Sequence, residues 1–398
     1  MKGSCLREDI RVKAQEIDPI RVMRIIARMN VGGPAVQVSG LMRGIDKSRF
    51  DQRLFTGFCS EGEADYLESV ATDVKAFKII GLGRSINILS DVKALMALVK
   101  EINSFKPQII HTHTAKAGVL GRLASMLSSQ PSIRVHTFHG HLLYGYFGKI
   151  KRELIILTER FFARHTDQLL AVGKKVRDEL LEVRIGTQEK FGIMAPGLVL
   201  GNLIDKEEAK SQLGLSQKVL QCAFIGRVTR IKRPDRFLDL VSEIKNRKLP
   251  IEFFIAGEGD LYEYCKNRIL NEELPVKLVG WQSDIEKVLA AADLVVLTSD
   301  NEGTPLSLIQ AGMAGLPVVS TNVGSVSEIV LQAKTGYLTP SKADDLANAV
   351  QVLCSNPELR EEFGTAAKDF NLSHFGVDRL VGDHQELYKQ LMTNQAKS

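Results

Sequence analysis

Short runs of apolar and β-branched residues alternate with amphipathic helical windows along most of this chain. In the first half, such runs predict seven strands, at Val22–Ala27, Arg53–Gly57, Ala76–Ile80, Gln108–His111, Ile133–Phe138, Gln168–Val172 and Phe191–Met194. In the second half, they predict five more, at Leu220–Ile225, Glu252–Ala256, Val276–Val279, Leu294–Leu297 and Val318–Ser320. Strands that alternate with helices are typical of parallel sheets covered by helices. The pattern therefore predicts an α/β protein built on two such sheets.

The composition changes between the two groups of strands. Residues 196–216 contain proline, glycines and mixed charges, which predicts an interdomain linker between a first domain at 20–195 and a second at 217–376. Residues 1–19 are polar and of mixed charge and predict a flexible extension. Residues 377–398 predict a C-terminal helix, about Val377–Leu391, that crosses back to the first domain. Two parallel sheets with a cleft between them bind ligands at the carboxyl ends of their strands.

The overall composition sets bounds on these expectations. Hydrophobic residues make up 44% of the 398 residues and charged residues 25%, as in soluble globular proteins. The net charge of +5 permits an anionic substrate or an anionic membrane surface and requires neither. The five cysteines are scattered and lack metal-ligand spacing, which predicts a reducing compartment and a cytoplasmic location. No apolar run predicts a secretion signal or a membrane-spanning helix.

The segment Thr298–Gly324 places one acidic side chain just before a predicted helix. Glu302 and Gly303 form a short loop, Thr304 is a favourable N-cap, and Pro305 suits the first helical position. The helix begins at Leu306, and its first amides have no internal partner and carry the positive end of the helix dipole. Such a helix start suits a phosphate group.

Two side chains near this helix can bind the rest of a phosphorylated ligand. Glu302 can accept hydrogen bonds from hydroxyl groups, and Gln310 lies about two turns further along the chain. An anion with hydroxyl groups on both sides describes a nucleotide-sugar.

A second loop carries positive charge. Gly226 follows a predicted strand and permits a tight turn, and Arg227 and Lys232 can reach one point from the loop and the next helix start. A planar guanidinium and a compact ammonium together suit a diphosphate. The alternative for each cation alone is a solvated surface charge, but the two motifs together favour a diphosphate site.

At these residues the chain resembles the family-four retaining glycosyltransferases of the GT-B fold. Their G-R-x-x-x-x-K loop is matched by Gly226, Arg227 and Lys232, and their E-x7-E motif by Glu302 and Gln310. The resemblance extends from Ile20 to about Tyr388 and includes two histidine-rich segments at 111–114 and 136–141 and an interdomain P-x-G-[IL] stretch at 196. The second motif residue departs from the family, because Gln310 stands where the family has glutamate.

The resemblance implies two Rossmann-like domains that face each other across a cleft. It implies that His139 and the glycine-rich turn at Gly33 reach the donor from the first domain. Arg227, Lys232 and the amides after Thr304 would stabilise the leaving diphosphate, and Glu302 would orient the sugar. Gln310 would bind the nucleotide ribose. The sugar would be transferred with retention, by a front-face route.

Metal ions and cofactors are not expected, since the nucleotide-sugar is the substrate. His111, His113, His136, His139 and His141 cluster at predicted strand ends. No helix carries an H-x-x-x-H pair among them, no carboxylate lies between them, and no D-x-D motif occurs. We therefore predict no metal site, with His111 and His113 in structural roles.

The segment Tyr144–His165 mixes aromatic residues with lysines and arginines. One interpretation is a core helix with a solvated basic face; the other is contact with an anionic membrane surface or a lipid diphosphate. No module that reads RNA or DNA is present, so nucleic acid is not an expected partner.

The nucleotide-sugar site and the resemblance together predict a hexosyl-type glycosyltransferase that moves a sugar from a UDP-sugar to a glycan or lipid-linked acceptor in polysaccharide or glycolipid biosynthesis. One alternative, raised by Gln310, is a nucleotide-sugar-binding protein with weakened catalysis. Another is a GT-B epimerase, which would convert the donor without an acceptor. A dehydrogenase is disfavoured because the G-x-G-x-x-G fingerprint is absent.

Overall fold

The computed structural model describes residues 18–83, 85–140 and 148–396. Almost all of the predicted N-terminal extension therefore lies outside the described residues. So do His141 and residues 144–147 of the aromatic and basic segment.

The first half of the chain forms a seven-stranded parallel sheet. Its strands are β1 (Ile20–Ile26), β2 (Phe50–Thr56), β3 (Ala76–Lys78), β4 (Ile109–His113), β5 (Ile133–Phe138), β6 (Gln168–Ala171) and β7 (Phe191–Ile193). Their order across the sheet is β3-β2-β1-β4-β5-β6-β7. The helices between them are α1 (Gly33–Gly44), α2 (Tyr66–Ser69), α3 (Ile88–Phe105), α4 (Ala115–Leu127), α5 (Lys149–Arg164) and α6 (Lys174–Glu182).

The second half forms a six-stranded parallel sheet of the same kind. Its strands are β8 (Leu220–Ile225), β9 (Ile251–Ala256), β10 (Val276–Gly280), β11 (Leu294–Leu297), β12 (Val318–Thr321) and β13 (Gly336–Thr339), in the order β10-β9-β8-β11-β12-β13. The helices that follow β7 in the chain are α7 (Lys206–Gln212), α8 (Pro234–Asn246), α9 (Tyr262–Asn271), α10 (Ile285–Ala291), α11 (Leu306–Met313), α12 (Ala343–Ser355), α13 (Pro357–Phe375) and α14 (Val377–Gln395).

The predicted fold class, two Rossmann-like domains of alternating strands and helices, is confirmed. All twelve predicted strands are present, and three of them have the predicted bounds. Strand β13 was not predicted, because its four residues begin with Gly336 and are too short to show alternation. Residues 196–216 are not only a connection, since α7 lies within them and its Ala209 is fully buried in the core of the second domain.

None of the helices in the described ranges has both the length and the apolar composition that spanning a bilayer requires.

The last helix packs on the first sheet. On α14, Leu380, Val381 and Tyr388 join a core cluster with Val22 of β1 and Ile109 of β4. A fully buried arginine, Arg24, stands on β1 beside this cluster. Its Nε donates to Gln52 Oε1 at 2.9 Å, and its guanidinium carbon lies 5.6 Å from the centre of the Tyr388 ring. The C-terminal helix therefore completes the first domain.

Tyr388 gives a direct test of this packing. Its hydroxyl lies 2.6 Å from His111 Nδ1, and both side chains are fully buried. Tyr388→Phe should lower the free energy of unfolding by about 1–3 kcal/mol, because a buried acceptor loses its donor. Urea unfolding followed by circular dichroism measures the change.

The matched control is Tyr264→Phe, because Tyr264 is 45% exposed. It should change stability by less than about 0.5 kcal/mol. An equal effect of the two substitutions would show that the Tyr388–His111 contact does not stabilise the fold.

Candidate active site

The basic loop begins where two strands of the second sheet end. Gly226 follows β8 with φ of 150°, a conformation that L side chains rarely adopt. A Cβ atom on Gly257, which follows β9, would lie 1.9 Å from the Gly226 carbonyl oxygen. The two strand ends therefore meet main chain against main chain. Beyond this contact Val228 is buried, whereas Arg227 is exposed and its guanidinium has no hydrogen-bond or ion-pair partner among the described residues.

Lys232 is fixed by contacts with the end of β11. It closes a short 3₁₀ turn, Arg230–Lys232, and its carbonyl oxygen accepts a hydrogen bond from Thr298 Oγ1 at 2.9 Å. Arg236, in the first turn of α8, donates to the Thr298 carbonyl oxygen at 2.6 Å. The basic loop and the acidic loop are thus tied together before any ligand is considered.

Lys232 and Glu302 form an ion pair. Lys232 Nζ donates to Glu302 Oε1 at 2.5 Å, and the Ser299 hydroxyl donates to the same oxygen at 2.5 Å. Only 18% of the lysine side chain and 9% of the glutamate side chain are exposed. The other carboxylate oxygen, Oε2, has no donor in the described ranges and remains available to a ligand hydroxyl. These two residues, which the sequence assigned to neighbouring parts of one ligand, are therefore in direct contact.

The start of α11 differs from the prediction by one residue. Thr304 is not the N-cap, and Pro305 is not the first helical residue, because Pro305 itself occupies the N-cap position with ψ of 111°. The Thr304 hydroxyl instead donates to the Val172 carbonyl oxygen of the first domain at 3.0 Å. The amides of Leu306 and Ser307 open the helix, and no backbone acceptor within the described chain reaches them.

Close contacts at two glycines bring the predicted first-domain residues to this loop. A Cβ atom on Gly303 would lie 2.9 Å from the His139 carbonyl oxygen, and one on Gly33 would lie 3.6 Å from Leu306 Cγ. His139 and the Gly33 turn therefore face Gly303 and the start of α11 across the cleft. Gln310 lies one turn beyond Leu306, is partly buried, and makes no side-chain hydrogen bond within the described chain.

The histidines form a row behind His139. The rings of His384, His111, His113 and His139 follow one another with centroid separations of 5.7, 4.3 and 5.2 Å. Burial lowers the pKa of His139 to about 4 and that of His384 to about 3. Burial likewise lowers the pKa of His111 and His113 well below the usual range, so all four rings are neutral at pH 7. His111 and His113 lie inside β4, which ends two residues later than predicted.

In the described ranges no three histidine, cysteine, aspartate or glutamate side chains are grouped so that they could hold a metal ion.

One contact between the domains, made by Glu328, was not predicted from the sequence. Glu328 lies in a 3₁₀ turn, Val326–Glu328, and its carboxylate accepts hydrogen bonds from the amides of Lys174 at 2.9 Å and Lys175 at 3.1 Å. These amides open α6 in the first domain, where the helix dipole favours a carboxylate. Nothing near Glu328 in the sequence distinguishes it from a solvated acid. Ser299 and Gly324 were missed for the same reason, since their partners appear only in the fold.

Gly324 shows how closely the acidic loop is packed. It has φ of 54°, and a Cβ atom there would lie 1.6 Å from the Glu302 carbonyl oxygen. The loop after β12 therefore supports the main chain of Glu302 directly.

Comparisons with known proteins agree with this geometry. Residues 31–197 match the family described as Glycosyltransferase Family 4, and residues 205–370 match Glycosyl transferases group 1. The chain is 29% identical over 346 residues to an Escherichia coli UDP-Gal:alpha-D-GlcNAc-diphosphoundecaprenol alpha-1,3-galactosyltransferase, covering 83% of this chain and 87% of that one. It is 24% identical to the capsular polysaccharide biosynthesis glycosyltransferase CapM of Staphylococcus aureus, covering 72% of this chain and 77% of that one.

The fold is similar to solved structures as well. Anabaena HepE in complex with UDP and glucose superposes with a TM-score of 0.78 at 18% identity, covering 93% of this chain and 99% of that one. At this identity the likeness shows the shared fold.

The contact of Glu328 with α6 gives a prediction about domain closure. Glu328→Ala removes a carboxylate that accepts hydrogen bonds from two amides at a helix start. An interaction of this kind contributes about 1 kcal/mol. The population of molecules in which the two domains have moved apart at this contact should therefore rise roughly fivefold. Small-angle X-ray scattering should then show a larger radius of gyration.

Glu361→Ala is the control, because Glu361 is an exposed carboxylate on α13. Its scattering curve should match that of the wild type. Identical curves for all three proteins would mean that Glu328 does not hold the domains together.

Proposed function

Because the chain belongs to the family-four glycosyltransferases of the GT-B fold, we propose that it transfers a sugar from a UDP-sugar to a lipid-diphosphate-linked glycan acceptor, with retention at the anomeric carbon. We propose polysaccharide or glycolipid biosynthesis as the setting, since one similar protein is named for a diphosphoundecaprenol-linked acceptor and another for capsular polysaccharide biosynthesis. The observation that carries the proposal is the meeting of Lys232, Glu302 and the start of α11 with the first-domain residues Gly33 and His139.

In this proposal the second domain holds the diphosphate. Lys232 and Arg227 supply the cations, and the Leu306 and Ser307 amides supply hydrogen bonds. When the bond between the anomeric carbon and the phosphate oxygen breaks, the electron pair stays on the phosphate. Donors that are already in place stabilise this charge by several kcal/mol.

The sugar lies between Glu302 and His139 in this proposal. Glu302 Oε2 accepts hydrogen bonds from sugar hydroxyls, while Oε1 remains bonded to Lys232 and Ser299. The acceptor hydroxyl approaches the anomeric carbon on the face that the phosphate leaves, and its proton passes to the leaving phosphate oxygen. Held by a lysine, Glu302 is a poor nucleophile, which favours this front-face route over a double displacement with two carboxylates.

We propose that no metal or cofactor takes part, because Arg227, Lys232 and the α11 amides supply the positive charge that the diphosphate needs. The two alternatives, a binding protein without catalysis and an epimerase, are not favoured, because the similar proteins are transferases.

The proposed diphosphate site is tested with Arg227→Ala. Transfer from a panel of UDP-sugars to a polyprenyl-diphosphate-linked sugar is measured with EDTA present. The kcat/KM value should fall at least roughly a hundredfold, equivalent to ~3 kcal/mol of transition-state stabilisation.

Lys218→Ala is the control. Lys218 is an exposed cation just before β8, so it lies at the amino end of the strand that Arg227 follows. It should transfer as the wild type does. Near wild-type transfer by Arg227→Ala would remove Arg227 from the site, and loss of all transfer in EDTA would contradict a metal-independent mechanism.

We also propose that α5 binds an anionic membrane surface. Ile150, Leu154 and Leu157 recur at helical spacing and are 82%, 60% and 56% exposed, so one apolar stripe of this helix faces outward. The opposite face is anchored, because the buried Arg122 donates to Glu159 Oε2 at 2.7 Å. Exposed basic residues lie near the stripe: Lys151 is beside it, and Arg164 follows it at the end of the helix. An exposed apolar stripe with basic flanks suits the boundary of an anionic bilayer, where a lipid-linked acceptor is found.

Liposome co-sedimentation tests this surface. Binding to vesicles that contain anionic lipid should weaken as salt is raised, and reversing Lys149, Lys151 and Arg152 to glutamate should weaken it further. Reversing Lys334, Lys342 and Lys368 changes the net charge equally on exposed parts of the second domain and should leave binding intact. Absence of wild-type binding at low salt would contradict the proposal.

Gln310 tests the proposed ribose contact. A hydrogen bond to a neutral group contributes roughly 0.5–1.5 kcal/mol and one to a charged group roughly 1.5–3 kcal/mol. Gln310→Glu should therefore tighten UDP binding by about 1 kcal/mol, close to fivefold, in calorimetric titration. Equal or weaker binding would mean that the surroundings are adapted to the amide or that Gln310 lies away from the ribose.

A further inference from the structure

One contact in the histidine row reaches the proposed sugar site directly. His113 Nδ1 lies 3.0 Å from His139 Nε2. The remaining nitrogens of the pair, His113 Nε2 and His139 Nδ1, are buried and have no hydrogen-bond partner. Two neutral imidazoles at this distance share one proton, so the position of that proton fixes the tautomer of both rings.

His111, the next ring in the row, has a tautomer that is fixed by a neighbour that can only donate hydrogen bonds. Arg24 Nη1 lies 3.4 Å from His111 Nδ1, and a guanidinium can only donate. His111 Nδ1 is therefore an acceptor, which takes a hydrogen bond from the Tyr388 hydroxyl. Its Nε2 then carries the hydrogen and donates to Thr137 Oγ1 at 2.7 Å. Arg24 and Tyr388 thus fix the tautomer of His111.

The tautomers of His113 and His139 depend on which of the two unpaired nitrogens can gain a hydrogen-bond partner. Both nitrogens are buried, but His113 lies within β4 and is only 1% exposed, so an N–H at its Nε2 would stay without an acceptor. His139 is partly exposed and its main chain lies at the cleft, where a ligand can supply an acceptor. His113 therefore carries its hydrogen on Nδ1 and donates to His139 Nε2. His139 must then carry its hydrogen on Nδ1, the ring nitrogen nearer its main chain. That main chain lies against Gly303 in the cleft.

We propose that His113 is a positioning residue that holds the His139 ring through the Nδ1–Nε2 hydrogen bond, so that His139 presents an N–H group to a hydroxyl of the donor sugar. This inference rests on the proposed function for the identity of the ligand. It gives His113 a role in the transfer, in place of the structural role expected from the sequence.

The tautomer is measured on the folded wild-type protein. Nitrogen-15 NMR of histidine-labelled protein at pH 7 should show a protonated Nδ1 and an unprotonated Nε2 for His139. His139→Asn assigns the signals. A protonated Nε2 on His139 would overturn the proposal whether or not the protein transfers sugar.

Substitutions of His113 test the positioning role. His113→Leu should lower kcat for transfer roughly tenfold, the loss of one hydrogen bond, while UDP affinity stays within about twofold. His113→Asn places an amide donor near the position of Nδ1 and should restore most of this activity. His113→Gln places the amide near Nε2, away from His139, and should not. Because asparagine and glutamine are both polar, this comparison holds even if the leucine variant unfolds.

Two further comparisons separate positioning from general damage to the core. His136→Asn removes another buried neutral histidine, which bonds Thr112 at 2.8 Å, and should not reproduce the selective loss of kcat. In a His139→Asn background, His113→Leu should cost little more, because its partner is already absent. Additive losses, or equal losses of UDP affinity and kcat, would show that His113 only supports the fold. A wild type that transfers from no UDP-sugar would refute the proposed function and leave the NMR result to decide the tautomer.

Discussion

The arrangement of the site depends on main chain packed directly against main chain at glycines. Gly226 and Gly257 join two strand ends, Gly324 supports Glu302, and Gly303 lies against the His139–Gly140 main chain of the other domain. At each of these positions a Cβ atom would meet a backbone oxygen or have no sterically comfortable conformation. Because no side chain separates the loops, charged groups from distant parts of the sequence come within one ligand's length of each other.

The ion pair between Lys232 and Glu302 is the main electrostatic feature built on that arrangement. Both side chains are largely buried, and a pair of this kind contributes little net stability, because desolvation offsets much of the attraction. Its value is geometric. Each group holds the other in place, so the ammonium and the carboxylate lie in fixed positions at the cleft. A bound diphosphate would share the lysine, and sugar hydroxyls would use the free carboxylate oxygen.

The strands and the fold class were predictable because buried parallel strands are local runs of β-branched residues, with flanking helices of clear periodicity. The motifs assigned Lys232 and Glu302 to one site, but their ion pair was not predicted, because it depends on how the two loops pack. The start of α11 was predicted wrongly, since the rule that favours threonine at an N-cap is local. In the fold, the Thr304 hydroxyl instead bonds Val172, 132 positions away. The contact between Glu328 and the Lys174 amide, 154 positions away, has no local pattern in the sequence that could predict it. The roles of the site residues remain predictions.

The return of α14 to the first domain has a consequence for synthesis of the chain. His111 and Tyr388 are 277 positions apart, so at roughly 5–20 residues per second β4 waits about 14–55 s for the helix that covers it. During that interval the guanidinium of Arg24 and the β1–β4 apolar surface have no cover from α14. The first domain can therefore mature only after the second has been made, which reverses the usual order of folding from the N-terminus. A circular permutant that begins with α14 would restore that order and let the first domain fold as it emerges.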